Sequence, residues 1–442
     1  MTRFLLFDDS KSTRFLPLTL TRPVRDLRVG ALTIAEKWAR ALGEPEISGP
    51  VAPHLAGVFP TPPPAAPFWL SPGQPAIWIN ARFLPEPTLL RRILEFALPA
   101  ESGDPQFLFH PSDDLIAARC TTPEQWTRWI AARRPAPVPD ADADADTAQH
   151  PGAVLETAAA PLEWPWELFE RNSEQILADL QLTGSTPSVA PGMSPAATVQ
   201  DPGLLHMHPT AVVEPGCHLI TDDGPISLGP DTRIMAGSLI RGPFHAGRGA
   251  VVKMGAKIYK GTTLGPGCKV GGEVNNCIFH SNSNKGHDGY VGNSLFGEWV
   301  NLGADTNASN LKNHYGSVRI TQFADGRSLD TGRQFLGTLM GDHTRTGINT
   351  MLNTGTVCGV SALVFEAGFP PRHIPSFSWV DASRSNGAGG PDSEPTLYHL
   401  DKALESMRRM MERKGIPFTR DYQAMMEAVF AHRDRPETLF SE

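Results

Sequence analysis

The side chains best able to do chemistry concentrate between Gly271 and Arg319. His280, His287, Asp288, Tyr290, Asn301, Asp305, Asn307, Asn310, Lys312 and His314 all fall in that stretch. A histidine near its ordinary pKa can take a proton from an attacking amine at neutral pH. Lysine and asparagine can donate to phosphate and hydroxyl oxygens. Asp288 and Asp305 stand in turn-like sequences, where aspartate more often shapes the turn than reacts. Few of these residues are needed merely to build a fold, so the stretch is read as a small-molecule site.

The surrounding texture says what must hold them. From about 209 to 370 the chain repeats a short unit, a small aliphatic residue followed by glycine or a turn former, as in VVEPGC, RIMAGS, TTLGPGC, YVGNSL and NLGADT. One aliphatic per short strand can point into a triangular prism, with glycine, asparagine or aspartate at each corner. Stacked coils then bury a continuous aliphatic column, a left-handed parallel β-helix. A β-sandwich with Gly-rich turns is the competing fold, and the hexad spacing favours the solenoid. HSNSNKGHDGY and NASNLKNHYG interrupt the repeat, and interruptions of a solenoid are where function collects.

The first half reads differently. FLLF (4–7) and AIWIN (76–80) look like strands. LTIAEKWARAL (32–42) and LLRRILEFA (89–97) look like helices, and the alternation predicts an α/β layer domain. Phe59–Pro75 is expected to be an exposed proline-rich loop and 134–150 a mobile surface segment. A helical stretch follows at 164–180. The expected organisation is an α/β domain over 1–182, a linker over 183–208, a β-helix over 209–380 and a helical tail over 381–442. In that tail Leu400, Leu404, Met407, Met410 and Met411 make one apolar stripe, suited to covering the solenoid.

Composition narrows the function classes. The formal net charge is −8 with no long basic run, which argues against nucleic acid and anionic membranes as partners. The five cysteines form no C-x-x-C pair, so neither a disulfide framework nor a thiolate zinc site is expected and a reducing cytoplasm fits. The opening MTRFLLFDDS meets two aspartates at once and reads as a buried first strand rather than a signal peptide.

The C-terminal motifs resemble a known family. NKGHDGYVG (284–292), GEWVNLGADT (297–306) and NASNLKN (307–313) occur in the order seen in the acetyltransferase half of the bifunctional N-acetylglucosamine-1-phosphate uridyltransferase / glucosamine-1-phosphate acetyltransferase family. The resemblance implies acetyl transfer from acetyl-CoA to an amino-sugar phosphate, in the synthesis of UDP-N-acetylglucosamine. It implies His287 as general base, Tyr290 and Asn301 in the sugar pocket, and Asn310 and Lys312 on sugar or phosphate. It also implies a homotrimer with sites between neighbouring coils. EVNNCIFH (273–280) departs from the family's lysine-rich strand, and Lys257 or Lys260, in GAKIYKG, is the substitute contact, Lys260 being equally suited to a solvated corner.

STRFLPLTLTRPVRDLRVG (12–30) resembles the opening motif of sugar-phosphate nucleotidyltransferases. By that resemblance Asp8, Asp9, Arg14, Arg22 and Lys37 are nucleotide-binding candidates, UTP is the second substrate, and Asn80 and Asn172 are candidate magnesium ligands. FDDSKS replaces the family's glycine loop, and Val24 stands where a lysine is usual. Two other classes compete. One is a zinc hydratase resembling the gamma-class carbonic anhydrases, although no H-x4-H pair falls in the solenoid. The other is a non-catalytic sugar-nucleotide-binding scaffold.

Overall fold

A computed structural model describes residues 3–59, 76–97, 106–120, 153–154, 159–365, 368–381 and 395–440. The expectations for 60–75 and 134–150 lie outside the described residues. The chain divides into two compact units, one comprising Met1–Ser12, Pro23–Asp26 and Ile34–Glu163, the other Thr13–Arg22, Leu27–Thr33 and Trp164–Glu442.

The smaller unit is the expected α/β layer. Arg3–Phe7 pairs in parallel with Ala76–Asn80, which pairs antiparallel with Leu115–Cys120 and, through it, with Gln106–Phe109. Leu5, Phe7, Trp78, Phe107 and Phe109 bury one face. Helices Ile34–Leu42 and Pro87–Phe96 turn Ile34, Trp38, Leu89 and Ile93 inward, as their spacing predicts. Arg3–Phe7 and Ala76–Asn80 end in register, so Asp8, Asp9 and Asn80 share one end of the sheet.

The larger unit is a parallel β-helix with C-terminal helices Leu400–Arg413 and Arg420–Ala431. Ile234 stacks beneath Val252 and Val252 beneath Val270, a repeat of 18 residues, three hexads per coil. A second column runs Leu228, Ala246, Leu264, Phe279, Phe296, with the last two rings stacked at 4.4 Å. These aliphatic and aromatic columns are almost wholly removed from water and supply the driving force for coil stacking.

The solenoid starts earlier than its sequence pattern suggests. Thr198–Val199 pairs with His218–Leu219, and Leu205–Met207 with Ile226–Leu228, so much of the expected linker over 183–208 forms the first coil. Proline and serine tolerate the corners but blur the hexad. Thr13–Arg22, Leu27–Thr33 and the helices Trp166–Glu170 and Asn172–Leu182 also pack in this unit rather than with the α/β sheet. The expected boundary near 182 therefore falls inside the larger unit. The NASNLKNHYG interruption opens an insertion whose hairpin pairs Arg319–Thr321 with Ser328–Asp330. HSNSNKGHDGY, by contrast, stays in the solenoid, with Asn284–Lys285 pairing with Lys269–Val270.

Candidate functional site

The two solenoid coils carrying the motifs put His287 at a corner. Asn284 lies three residues before it and bridges Asn301 of the next coil. Tyr290 lies three residues after it and opens the strand Tyr290–Phe296. His287 thus sits where the Asn301 face and the Tyr290 face meet, with its side chain exposed. Gly289 makes this corner possible. Its φ is +105°, and a Cβ there would come within 2.3 Å of the Thr306 carbonyl oxygen.

The Tyr290 face is built from amides. Asn310 donates from Nδ2 to Asn293 Oδ1 at 2.7 Å, and Asn307 Oδ1 accepts from the Tyr290 amide at 2.8 Å. Burial raises the Tyr290 phenol, and hydrogen bonds to Asn275 and Asn310 oppose that shift. Tyr290 and Asn310 are therefore joined on one surface. Lys257 is exposed on the same outward row, with Glu273 between it and Tyr290 in register, or roughly 10 Å away across two strand spacings. Lys312 braces the insertion, donating to the Ser317 carbonyl at 2.6 Å.

Sequence reasoning passed over the residue beneath this corner. Lys285 is 1 % exposed and occupies the interior column between Val270 and Leu302. Its ammonium donates to the carbonyls of Gly271 (3.0 Å), His287 (3.0 Å) and Asp288 (3.2 Å). Burial lowers it to about 8, only partly offset by Asp288. The signal was present in the pattern, since the column position that takes valine in two preceding coils takes lysine in NKGH.

The other histidines have different surroundings. His280 is buried with its Nδ1 3.3 Å from Glu298, and burial lowers its pKa. His314 is exposed and accepts from the Gly316 amide at 3.1 Å. Among the described residues no three His, Cys, Asp or Glu side chains gather closely enough to hold a metal ion.

The nucleotide-binding candidates divide. Arg22 is buried with Asp342, whose carboxylate also accepts from the Thr21 hydroxyl and the Glu298 amide, both at 2.8 Å. Glu298 lies 3.4 Å from the same guanidinium, which holds that carboxyl well below its usual range against the opposing effect of burial. Arg22, expected on a nucleotide, is thus spent on anchoring its own segment to the solenoid. Arg14 differs. Its guanidinium lies 4.8 Å from the ring centre of Trp164, which stacks on Trp166 at 5.1 Å. Thr13, Arg14, Trp164 and the hairpin residues Gln322 and Arg327 line a cavity of about 250 Å³.

In the smaller unit Asp9 accepts from Asn80 Nδ2 at 2.8 Å and from Arg82 Nη2 at 2.6 Å. Arg82, unremarked in the sequence, is fully buried and also reaches Asp114 and Glu163. Lys11 donates to Asp114 at 2.7 Å. Burial pushes the Asp8 carboxyl up to about 7, against the Val24 amide that it accepts at 3.0 Å. Lys37 is buried on the helix Ile34–Leu42.

The expected magnesium ligands do not fit that role. Asn80 is wholly buried, with its amide nitrogen on Asp9 and the Leu115 carbonyl and its oxygen on the Arg82 amide. Asn172 belongs to the other unit, where its oxygen accepts from Gly30 and its nitrogen donates to the Gly261 carbonyl, both at 2.7 Å. Each side chain is occupied as a structural tie.

Comparison with known proteins agrees with this architecture. Residues 4–186 match the sugar nucleotidyl transferase family. A bifunctional sugar-1-phosphate nucleotidylyltransferase/acetyltransferase of Sulfurisphaera tokodaii is 32 % identical over 102 residues, 23 % of this chain and 25 % of that protein. The bifunctional protein GlmU of Alkalilimnicola ehrlichii is 34 % identical over 128 residues, 28 % of this chain and 27 % of that one. GlmU of Kineococcus radiotolerans is 26 % identical over 269 residues, 55 % of this chain and 52 % of its own length. The matches thus span between a quarter and about half of these relatives.

Proposed function

We propose that the chain is a sugar-1-phosphate N-acetyltransferase that uses acetyl-CoA, with glucosamine-1-phosphate as acceptor and a divergent UDP-sugar-forming domain ahead of it. The observation that carries this reading is the His287 corner. An exposed imidazole sits between a face bearing Asn301 and a face bearing the joined pair Tyr290 and Asn310. The amides and the phenol can hold sugar hydroxyls, and Lys257 can meet the phosphate.

The chemistry follows from that placement. The sugar amine nitrogen attacks the thioester carbonyl carbon and the carbon–sulfur bond breaks. His287 takes the proton that the nitrogen sheds, and the coenzyme A thiolate leaves and is protonated. A positioned base contributes about 10²–10⁴-fold to such a step. Holding the amine toward both imidazole and thioester lowers the entropic barrier further. Of the nucleotide-binding candidates, Arg14 of the larger unit is the one that lines a cavity, beside Thr13 and Trp164. Asn80 and Asn172, tied into internal hydrogen bonds, are not available to hold magnesium. We further propose a homotrimer in the cytoplasm, with the His287 corner completed by a neighbouring copy.

The test is a mass-spectrometric assay of the purified chain offered glucosamine-1-phosphate, acetyl-CoA, UTP and magnesium, together and separately. Appearance of N-acetylglucosamine-1-phosphate from glucosamine-1-phosphate and acetyl-CoA, with UTP and magnesium left out, supports the reading. Binding of the sugar nucleotide without any acetyl-CoA turnover would favour the scaffold reading instead.

A further inference from the structure

A lysine inside a β-helix needs an explanation. The column Val213, Ile234, Val252, Val270 is aliphatic in every coil below, and Leu302 continues it above. At Lys285 an ammonium replaces a methyl group among side chains that exclude water. A lysine buried without cause would be a liability of the fold. Here all three N–H bonds meet carbonyl oxygens, and two of those belong to His287 and Asp288. Gly272 keeps the space open, since a Cβ there would lie 2.8 Å from Lys285 Nζ. The side chain therefore reaches from the core to the inner side of the corner that presents the imidazole.

We propose that Lys285 is a positioning residue for the acetyl-transfer step. Its ammonium clamps the His287–Asp288 backbone from inside the prism and fixes where the His287 imidazole points. The inference rests on the reading of His287 as general base. Three donors and three acceptors match only in the cationic form, because a neutral amine keeps two N–H bonds and a lone pair. Asp288, Asp305 and the Cys277 thiol face this ammonium electrostatically, and Lys253 of the neighbouring coil packs near Gly271. With burial holding Lys285 near 8, the clamp is complete at neutral pH and slackens as pH rises through that value.

Stability and activity then move in opposite directions with pH. A lysine whose folded pKa lies below its unfolded value carries a penalty that is present at low pH. That penalty is relieved as pH rises from about 8 toward 10.5. A purely structural Lys285 would show only this stability term. A positioning Lys285 adds an alkaline fall in kcat.

The experiment measures acetyl transfer by the full chain from pH 6 to 10, with glucosamine-1-phosphate and acetyl-CoA, for the wild type, Lys285→Met, Lys285→Gln and His287→Ala. Thermal stability is recorded at each pH. The expected results are an alkaline fall in wild-type kcat near pH 8, a loss of kcat of at least about tenfold in Lys285→Met, and no alkaline fall in that variant. KM should change little. Lys285→Gln, which keeps part of the donor set, should fall between the two and serves if the methionine variant does not fold. Wild-type kcat that stays flat to pH 10 overturns the proposal. So does wild-type kcat in both folded Lys285 variants while His287→Ala is inactive. Full turnover in His287→Ala refutes the base assignment itself, and that outcome is separate from the behaviour of Lys285.

Discussion

Replacing Arg22 with methionine probes the anchor between the Thr13–Arg22 segment and the solenoid. Asp342 is 2 % exposed, and Arg22 is its only ionic partner across a hydrogen bond among the described residues. With the guanidinium gone, the buried Asp342 and the partly exposed Glu298 remain side by side. Thr21 and a backbone amide still serve Asp342, and His280 and Ser281 still serve Glu298. Removing one partner of a buried pair costs about 3–5 kcal/mol. At roughly 2–4 °C per kcal/mol for a unit of this size, Arg22→Met should lower Tm by roughly 6–20 °C at pH 8.

The sign with pH is fixed by what is left. Two facing carboxylates bind protons more tightly folded than unfolded, so their penalty grows as pH rises and shrinks toward pH 5. Arg22→Met should therefore recover part of its Tm deficit at pH 5. Arg22→Met combined with Asp342→Leu should be less destabilised than either single change added to the other. Differential scanning calorimetry at the two pH values reads all three. A deficit below about 2 °C, or one equal at pH 5 and pH 8, would refute the account of Arg22 as an anchor.

Other outcomes follow from the same geometry. Asp8→Asn should raise Tm by a few degrees at pH 8 and by much less near pH 4. A carboxyl held up to about 7 by burial loses stability as it ionises between its unfolded value and that pH, and denaturation across that range checks it. Arg14→Ala should cut uridylyl transfer severalfold or more with little change in Tm, whereas robust transfer by that variant would show that the nucleotide contacts lie elsewhere. Multi-angle light scattering should give three copies per particle at micromolar concentration, and a monomer would remove the neighbour-completed corner.

Much of the fold was legible because its physics is local. Aliphatics at hexad spacing stack better in a prism than in a sandwich, so the coils from Val212 onward were read with the right period, as were AIWIN and the helix ending at Leu42. The boundaries were less legible. Thr13–Arg22 and Leu27–Thr33 look like part of one N-terminal motif, yet they pack in the solenoid unit through partners such as Asp342 and Asp179, which lie 147 to 320 residues away in sequence. No periodicity encodes such a pairing. At the site, the motif order pointed to His287, Tyr290 and Asn310, and the last two do share a surface. Lys285 was hidden because a lysine in a polar stretch reads as solvated until the coil register puts it in the column of Val270. Arg82 was hidden for the same reason, since only the folded sheet brings Asp9, Asp114 and Glu163 around it.

The most direct test of the central claim is acetyl transfer by His287→Ala, set beside His280→Ala and His314→Ala at matched thermal stability. His287 stands exposed at the corner between the Asn301 and Tyr290 faces, His280 is buried against Glu298, and His314 serves its own turn. The expected result is a loss of at least about a hundredfold for His287→Ala, far smaller losses for the other two, and an unchanged oligomer and uridylyl transfer in all three. Near-normal acetyl transfer by folded His287→Ala would contradict it.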